Sequence, residues 1–262
     1  MSRTGQKVGR GVLVAVLCCA ACGDPELSGD SRTLALHQQP LASLQFDCDA
    51  IAYGIAFVPE AQLRAHVPAG YTLLSDGSGN AELDLAFGRC ATSSVNGVPS
   101  GPIDFAAGFA VLVPPAWLEV APGTAVVYQL WYDTQNKPWP KALTAAGMGR
   151  VVSKPRELAL AFPPAGDASG NVTLRRGSYG FAANVPPTQL ITIPSSTVIL
   201  YDGPRGTARI TKSCTLDLNP AFGSLSAHAD PHTILGSIAT SLNAMVADLR
   251  NVSCTEQLEL RR

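Results

Sequence analysis

Ala81-Glu82-Leu83-Asp84-Leu85-Ala86-Phe87 changes side at every residue, large apolar side chains falling on one phase and Glu82 and Asp84 on the other. A period of two is the signature of a strand, with one face expected to be buried and the other wet. Similar segments extend in both directions from it. Upstream lie Leu44–Cys48 and Ile51–Val58; downstream lie Ile103–Val113, Thr124–Tyr132, Glu157–Phe162, Ser178–Val185, Thr197–Tyr201 and Thr207–Thr211. Pro114-Pro115, Pro163-Pro164 and Pro186-Pro187 punctuate the series, as do Asp76-Gly77-Ser78-Gly79-Asn80 and Asp167-Ala168-Ser169-Gly170-Asn171, read as two hairpin turns. Many short strands at this spacing predict a barrel or a sandwich.

Three helices are expected among the strands. Glu60–Val67 is bracketed by Pro59 and Pro68, and Lys141–Met148 is shorter. Thr233–Leu249 carries Ile234, Leu235, Ile238, Leu242, Met245, Val246 and Leu249 on one helical face, which predicts a C-terminal amphipathic helix packed on the sheet. The class is therefore α+β and β-dominated, a barrel or sandwich with a few flanking helices.

Charged residues make up 15% of the chain, the formal net charge is −1, and 24 glycines and 20 prolines favour strands and turns over long helices. No basic stripe is present, so nucleic acid is not an expected partner. The first residues read as an export signal. Arg3, Lys7 and Arg10 precede the apolar run Val12–Ala21, which is too short to span a bilayer, and Cys19-Ala20-Ala21-Cys22-Gly23 resembles the lipobox of bacterial lipoproteins. Residues 1–21 are thus expected to be removed, Cys22 to be lipidated, residues 22–42 to form a flexible tether and residues 43–262 to fold as one domain. Lipid on Cys22 would make the membrane a partner and place the protein in the bacterial cell envelope, at the periplasmic face or the outer membrane.

Cys48, Cys90, Cys214 and Cys254 remain after the signal, an even number in an oxidising compartment. Four cysteines allow three pairings; Cys48–Cys90 with Cys214–Cys254 is favoured because each pair would staple one end of the domain. Their isolation argues against a zinc site, whose ligands come in close pairs. Asp76-x-Ser78-x-Asn80 resembles half a calcium loop, but Ala81 and Phe87 stand where that loop needs Gly and Glu. His228 and His232 are separated by Pro231 and read as loop residues. No metal and no cofactor is expected, and no Gly-x-Ser-x-Gly, His-Glu-x-x-His or phosphate-loop motif occurs. Lysine is scarce: beyond the signal only Lys137, Lys141, Lys154 and Lys212 remain. Two of these flank Pro138-Trp139-Pro140, where a desolvated lysine could serve as an amine nucleophile.

Val58-Pro59-Glu60-Ala61-Gln62-Leu63 through Val67-Pro68-Ala69-Gly70-Tyr71, the strand Ala81–Cys90, and Trp139-Pro140-Lys141-Ala142-Leu143 together resemble the acetoacetate decarboxylase-like superfamily over residues 50–160. The resemblance implies a closed or cone-like antiparallel β-barrel with an internal pocket and places the family's Schiff-base lysine at Lys141. It also departs from the family: Ala142 stands where a second lysine is usual, and Ala107 where a glutamate is usual. The expectation is a tethered barrel binding a small apolar or carbonyl-containing ligand. A lysine-dependent lyase using Lys141 and a structural envelope protein are the alternatives.

Overall fold

The alternating segment sits inside a strand of 16 residues in the computed structural model, which describes residues 40–163 and 167–261. In chain order the elements begin with β1 (Ala42–Pro59), α1 (Glu60–Arg64), β2 (Thr72–Leu73), β3 (Asn80–Val95), β4 (Val98–Pro99) and β5 (Ile103–Val113). β6 (Ala125–Thr134) is followed by α2 (Pro138–Leu143), a wide turn over Thr144–Met148, β7 (Val152–Ser153), β8 (Glu157–Ala161) and β9 (Ala168–Thr173). β10 (Ser178–Asn184), β11 (Ile191–Gly203), β12 (Gly206–Leu218), β13 (Gly223–Ala229), α3 (Ile234–Ile238) and β14 (Ser241–Arg261) complete the chain. The expected strand pairs Leu44–Cys48 and Ile51–Val58 are one continuous strand, β1, with a register shift at Cys48–Ala50. Asp76 does organise a turn, accepting hydrogen bonds from Ser78 and Asn80. The segment from Ala168 is instead already strand β9, paired with β10.

Seven strands close on themselves in the order β1-β3-β5-β6-β11-β12-β14 and back to β1. Closure leaves these strands no free edges. The barrel is mixed, not purely antiparallel, because β6 and β11 run parallel. The chain between them is long enough to build α2 and the strands β8–β10 of an outer sheet before it returns in the same direction.

The expected helix Thr233–Leu249 is corrected most sharply. Thr233 caps a helix, its Oγ1 accepting from the Gly236 N–H, but that helix ends at Ile238. From Ser241 the chain is strand. Leu242, Ala244, Val246 and Asp248 share one phase and Met245, Ala247 and Leu249 the other, so the same residues satisfy a period of two. Pairing decides between the two readings. β14 hydrogen-bonds to β1 along one side and to β13 and then β12 along the other. A helix there would have left those backbone groups without partners, at a cost no amphipathic stripe offsets.

From the first half of β14 a second sheet continues as β13-β10-β9-β8 and folds back over the outer wall of the barrel. Phe87 stacks on Phe181 of β10 with ring centroids 3.8 Å apart. Trp131 meets Tyr179 edge-on at 6.3 Å. Leu83, Leu85 and Phe87 are therefore completely buried between the layers. The opposite phase of β3 is not a wet outer surface as the alternation suggested. Glu82 and Asp84 face the inside of the barrel.

Cys48 joins Cys90, and Cys214 joins Cys254. Each bridge links neighbouring barrel strands across a registered pair. Losing one such bridge typically costs about 2–5 kcal/mol. Alkylation of the unreduced, denatured protein should therefore modify none of these four cysteines, and Cys214→Ala should lower the melting temperature. Four free thiols would reject the pairing.

Candidate functional site

Register identifies the side chains that point into the lumen. On β12 and β14 the phase of Ser213, Thr215, Ser253, Thr255 and Gln257 is exposed, so Lys212, Cys214, Cys254 and Glu256 point inward. Directly paired residues share a side of the sheet, which carries this assignment round the ring. One lumenal row then reads Ala247, Tyr53, Ala86, Ala107, Tyr132 across five strands. Ala86 and Ala107 lie between the two tyrosines, Ala247 lies on the far side of Tyr53, and these three side chains reach least far inward. Tyr53 and Tyr132 are only partly buried although both sit on this inner wall, as are Ile55, Phe57 and Phe109.

Asp84 lies in this row's neighbourhood, 5% exposed, beside Ile55 and Phe109 in register. The Tyr53 hydroxyl donates to its Oδ2 at 2.5 Å, while no protein donor reaches Oδ1. Burial raises the Asp84 pKa to about 8, with the Glu82 carboxylate adding to the rise. Burial also raises Glu82, while the neighbouring Asp84 carboxyl holds it lower. Desolvation disfavours the charged carboxylate, and two carboxyls this close cannot both ionise cheaply. Near neutral pH Asp84 is therefore protonated. Because Oδ2 is occupied as an acceptor by Tyr53, that proton belongs on Oδ1, where it is available to an acceptor brought into the lumen. The Tyr53 hydroxyl is itself pushed well up by burial and by Asp84, so it stays a donor.

A second polar group lines the same wall. Lys212 Nζ lies 3.5 Å from Glu256 and 5.1 Å from the Phe46 ring centroid. Burial raises Glu256, and Lys212 opposes the rise. Burial also raises the Tyr132 hydroxyl, with the Glu256 charge adding to it. Asp133, by contrast, lies between the layers and accepts from Tyr179 and Ser153, so it is not part of the lumen.

Lys141, the lysine singled out from sequence, is exposed on α2, whose buried side is formed by Trp139 and Leu143. Lys137 and Lys154 are exposed as well, leaving Lys212 as the lysine of the described residues that faces the lumen. Ala107 is lumenal and Ala142 is partly buried. His228 and His232 are exposed. Cys22 lies outside the described residues. Sequence reasoning passed over Tyr53, Glu82, Asp84, Tyr132 and Glu256. The available signal was the polar phase of β3, two carboxylates held at strand spacing. An open depression on the outer sheet, lined by Ser169, Ala182, Asn184, Ser226 and Asn243, has Asp167 as its single acidic group, already hydrogen-bonded to Asn184.

The lumen sits in a fold that is found elsewhere. The enduracididine biosynthesis enzyme MppR, solved with HEPES buffer bound, superposes with a TM-score of 0.54 at 10% identity, covering 92% of this chain and 97% of that one. The two share a fold. MppR complexed with pyruvate superposes at 0.52 and 9% identity over 87% of this chain and 93% of the other. An acetoacetate decarboxylase gives 0.48 at 11% identity over 86% and 90% of the two chains. No family model matches the sequence, and no curated protein matches it.

Proposed function

We propose that this protein is an exported, lipid-anchored member of the acetoacetate decarboxylase-like superfamily whose barrel binds a small carbonyl-containing or apolar ligand. Asp84 carries the reading. A neutral carboxylic acid with one oxygen free, set among Ile55, Phe109 and alanines, is suited to donate a hydrogen bond to a carbonyl oxygen. The MppR structure with pyruvate adds that a barrel of this fold accommodates a small carbonyl compound.

The test is calorimetric titration with propanone and with pyruvate. Binding should be lost in Asp84→Ala, and in the wild type it should weaken as pH rises through about 8, where Asp84 surrenders the donated proton. Equal affinity in wild type and variant across that range would sink the reading. The lyase alternative is tested in the same samples by borohydride reduction and peptide mapping. With Lys141 in solvent, slow labelling spread over the lysines is expected. Selective, saturable reduction onto Lys141, abolished in Lys141→Ala, would establish the lyase.

Two disulfides accord with an extracytoplasmic location. Labelled palmitate should enter the full chain and vanish in Cys22→Ser. Undiminished labelling of that variant would move the anchor to Cys18 or Cys19.

A further inference from the structure

We propose that the end of the barrel at which β1 begins and β14 finishes docks on an anionic lipid bilayer. The proposal rests on the lipid-anchor reading for where the membrane lies, and on the surface itself for what meets it. Just before the first registered pair of β1, Ala42 with Leu258, the Leu41 N–H donates to the Leu258 carbonyl, and the Leu41 side chain is 56% exposed. β4 folds back on β3 at the same level, Val98 pairing with Val95 and Val95 with Leu44, and Val98 is 66% exposed. Three residues beyond Leu258 on β14, the Arg261 guanidinium lies 4.6 Å from the centre of the Trp117 ring and donates to the Trp117 carbonyl. That contact brings the loop after β5 to this end, with Trp117 41% exposed. Exposed apolar side chains gathered at one end mark an interaction surface, and tryptophan is a side chain favoured where membrane meets water.

Cations surround the apolar groups. α2 and the wide turn after it span this end. Asn136 donates to the Ser100 and Pro102 carbonyls at one side, and Arg205 of the β11–β12 hairpin donates to the Ala145 carbonyl at the other. Lys137, Lys141, Arg150, Arg205 and Arg261 are exposed here, and none of the five has a carboxylate within ion-pair distance among the described residues. The carboxylates near them are Glu119, Glu259 and Asp202, the last already held by Tyr71 and Thr207, so cations outnumber them. A cationic rim around apolar side chains complements an anionic bilayer. Chain length favours the same orientation. Cys22 stands 19 residues before Leu41, a reach of at most about 65 Å. β1 alone has 18 residues, and at barrel tilt it rises about 45 Å. With the opposite end on the bilayer, the linking chain would have to run back along that height at about two-thirds of its full extension, a loss of entropy that docking this end avoids.

The experiment uses the lipidated full protein added to vesicles of phosphatidylcholine alone and of phosphatidylcholine mixed with phosphatidylglycerol. Trp131 and Trp139 are 4% and 1% exposed, so acrylamide quenching reports Trp117, with Trp117→Phe as the blank. Trp117 should be protected and its emission blue-shifted on the anionic vesicles, quenched freely on the neutral ones, and released from the anionic ones as salt rises. Lys137→Gln combined with Lys141→Gln should lower the docked-to-undocked ratio roughly 25-fold, about fivefold for each cation removed. The charge-matched control is Arg175→Gln with Arg176→Gln in the β9–β10 turn. That turn adjoins Asp230 just before α3, and Ser237 of α3 meets His66 beyond the end of β1, so it belongs to the opposite end and the ratio should not change. Equal quenching on both kinds of vesicle overturns the docking surface, as does protection that the lysine pair leaves intact or the arginine pair removes equally. Retention on neutral vesicles reads the anchor separately. A protein that neutral vesicles do not retain, but whose Trp117 is protected on anionic ones, has lost the anchor reading and kept the docking surface.

Discussion

Asp84→Asn should make the protein more stable at neutral pH than the wild type, and increasingly so as pH rises. The buried carboxyl has its pKa raised from 3.8 to about 8 in the folded state. The folded chain therefore holds a proton that the unfolded chain releases, and stability falls with pH wherever only the folded state is protonated. That contribution is complete below the unfolded value and is lost progressively as pH climbs through the folded one. Each pH unit inside the window is worth about 1.4 kcal/mol, so the wild type should lose ~3 kcal/mol relative to the variant between about pH 5 and pH 7. Asparagine matches the shape. Its Oδ1 can accept from Tyr53, which removes the titration while keeping that contact. Denaturant unfolding of both proteins over that pH range reads the difference directly. Because Glu82 and Glu256 titrate in both proteins, the gap between them is the informative quantity. Parallel stability curves, or a variant weaker at every pH, would falsify the assignment of the proton to Asp84.

Gly108→Ala should be severely destabilising although it adds a single methyl group to a strand. A Cβ built at Gly108 would lie 2.0 Å from the Trp131 ring. Gly108 and Trp131 are registered partners on β5 and β6, and both point at the outer sheet. Trp131 is 4% exposed and packed edge-on against Tyr179, so the indole cannot swing aside without opening the interface between the layers. Overpacking a well-filled interior costs about 1–3 kcal/mol and sometimes more, and this contact belongs at the upper end. For a domain of this size about 3 kcal/mol corresponds to roughly 6–12 °C in melting temperature. Gly70→Ala is the control: its added methyl group meets nothing within 4 Å, and it should melt within about a degree of the wild type. Trp131→Leu introduced into Gly108→Ala should recover part of the loss by removing the obstructing ring. A Gly108→Ala protein that melts with the wild type would show that Trp131 does not fill the space above that glycine.

The strands were largely legible because their period is local. Ile103–Val113 is the observed β5 residue for residue, and the Glu157 and Ser178 segments are β8 and β10 to within a residue. Thr233–Leu249 was misread because its apolar residues satisfy both 3.6 and 2, and only the edges waiting on β1, β12 and β13 favour the strand. The site was missed for a related reason. Solvent and a barrel lumen impose the same polar phase on a strand, so Glu82 and Asp84 read as a wet face. Lys141 drew attention through its neighbours in the chain, yet α2 turns it outward while Lys212, with nothing remarkable beside it in sequence, points in.

The amino-acid sequence by itself determined where the chain extends, where it turns, which residues share a face, and that four cysteines follow an export-like start. The tertiary structure alone decided what each face meets, which strands close the ring, and which carboxylates lose their water. Side-chain period is a property of neighbouring residues along one strand, whereas burial and a shifted pKa are set by groups that pairing and layering bring in from distant parts of the chain.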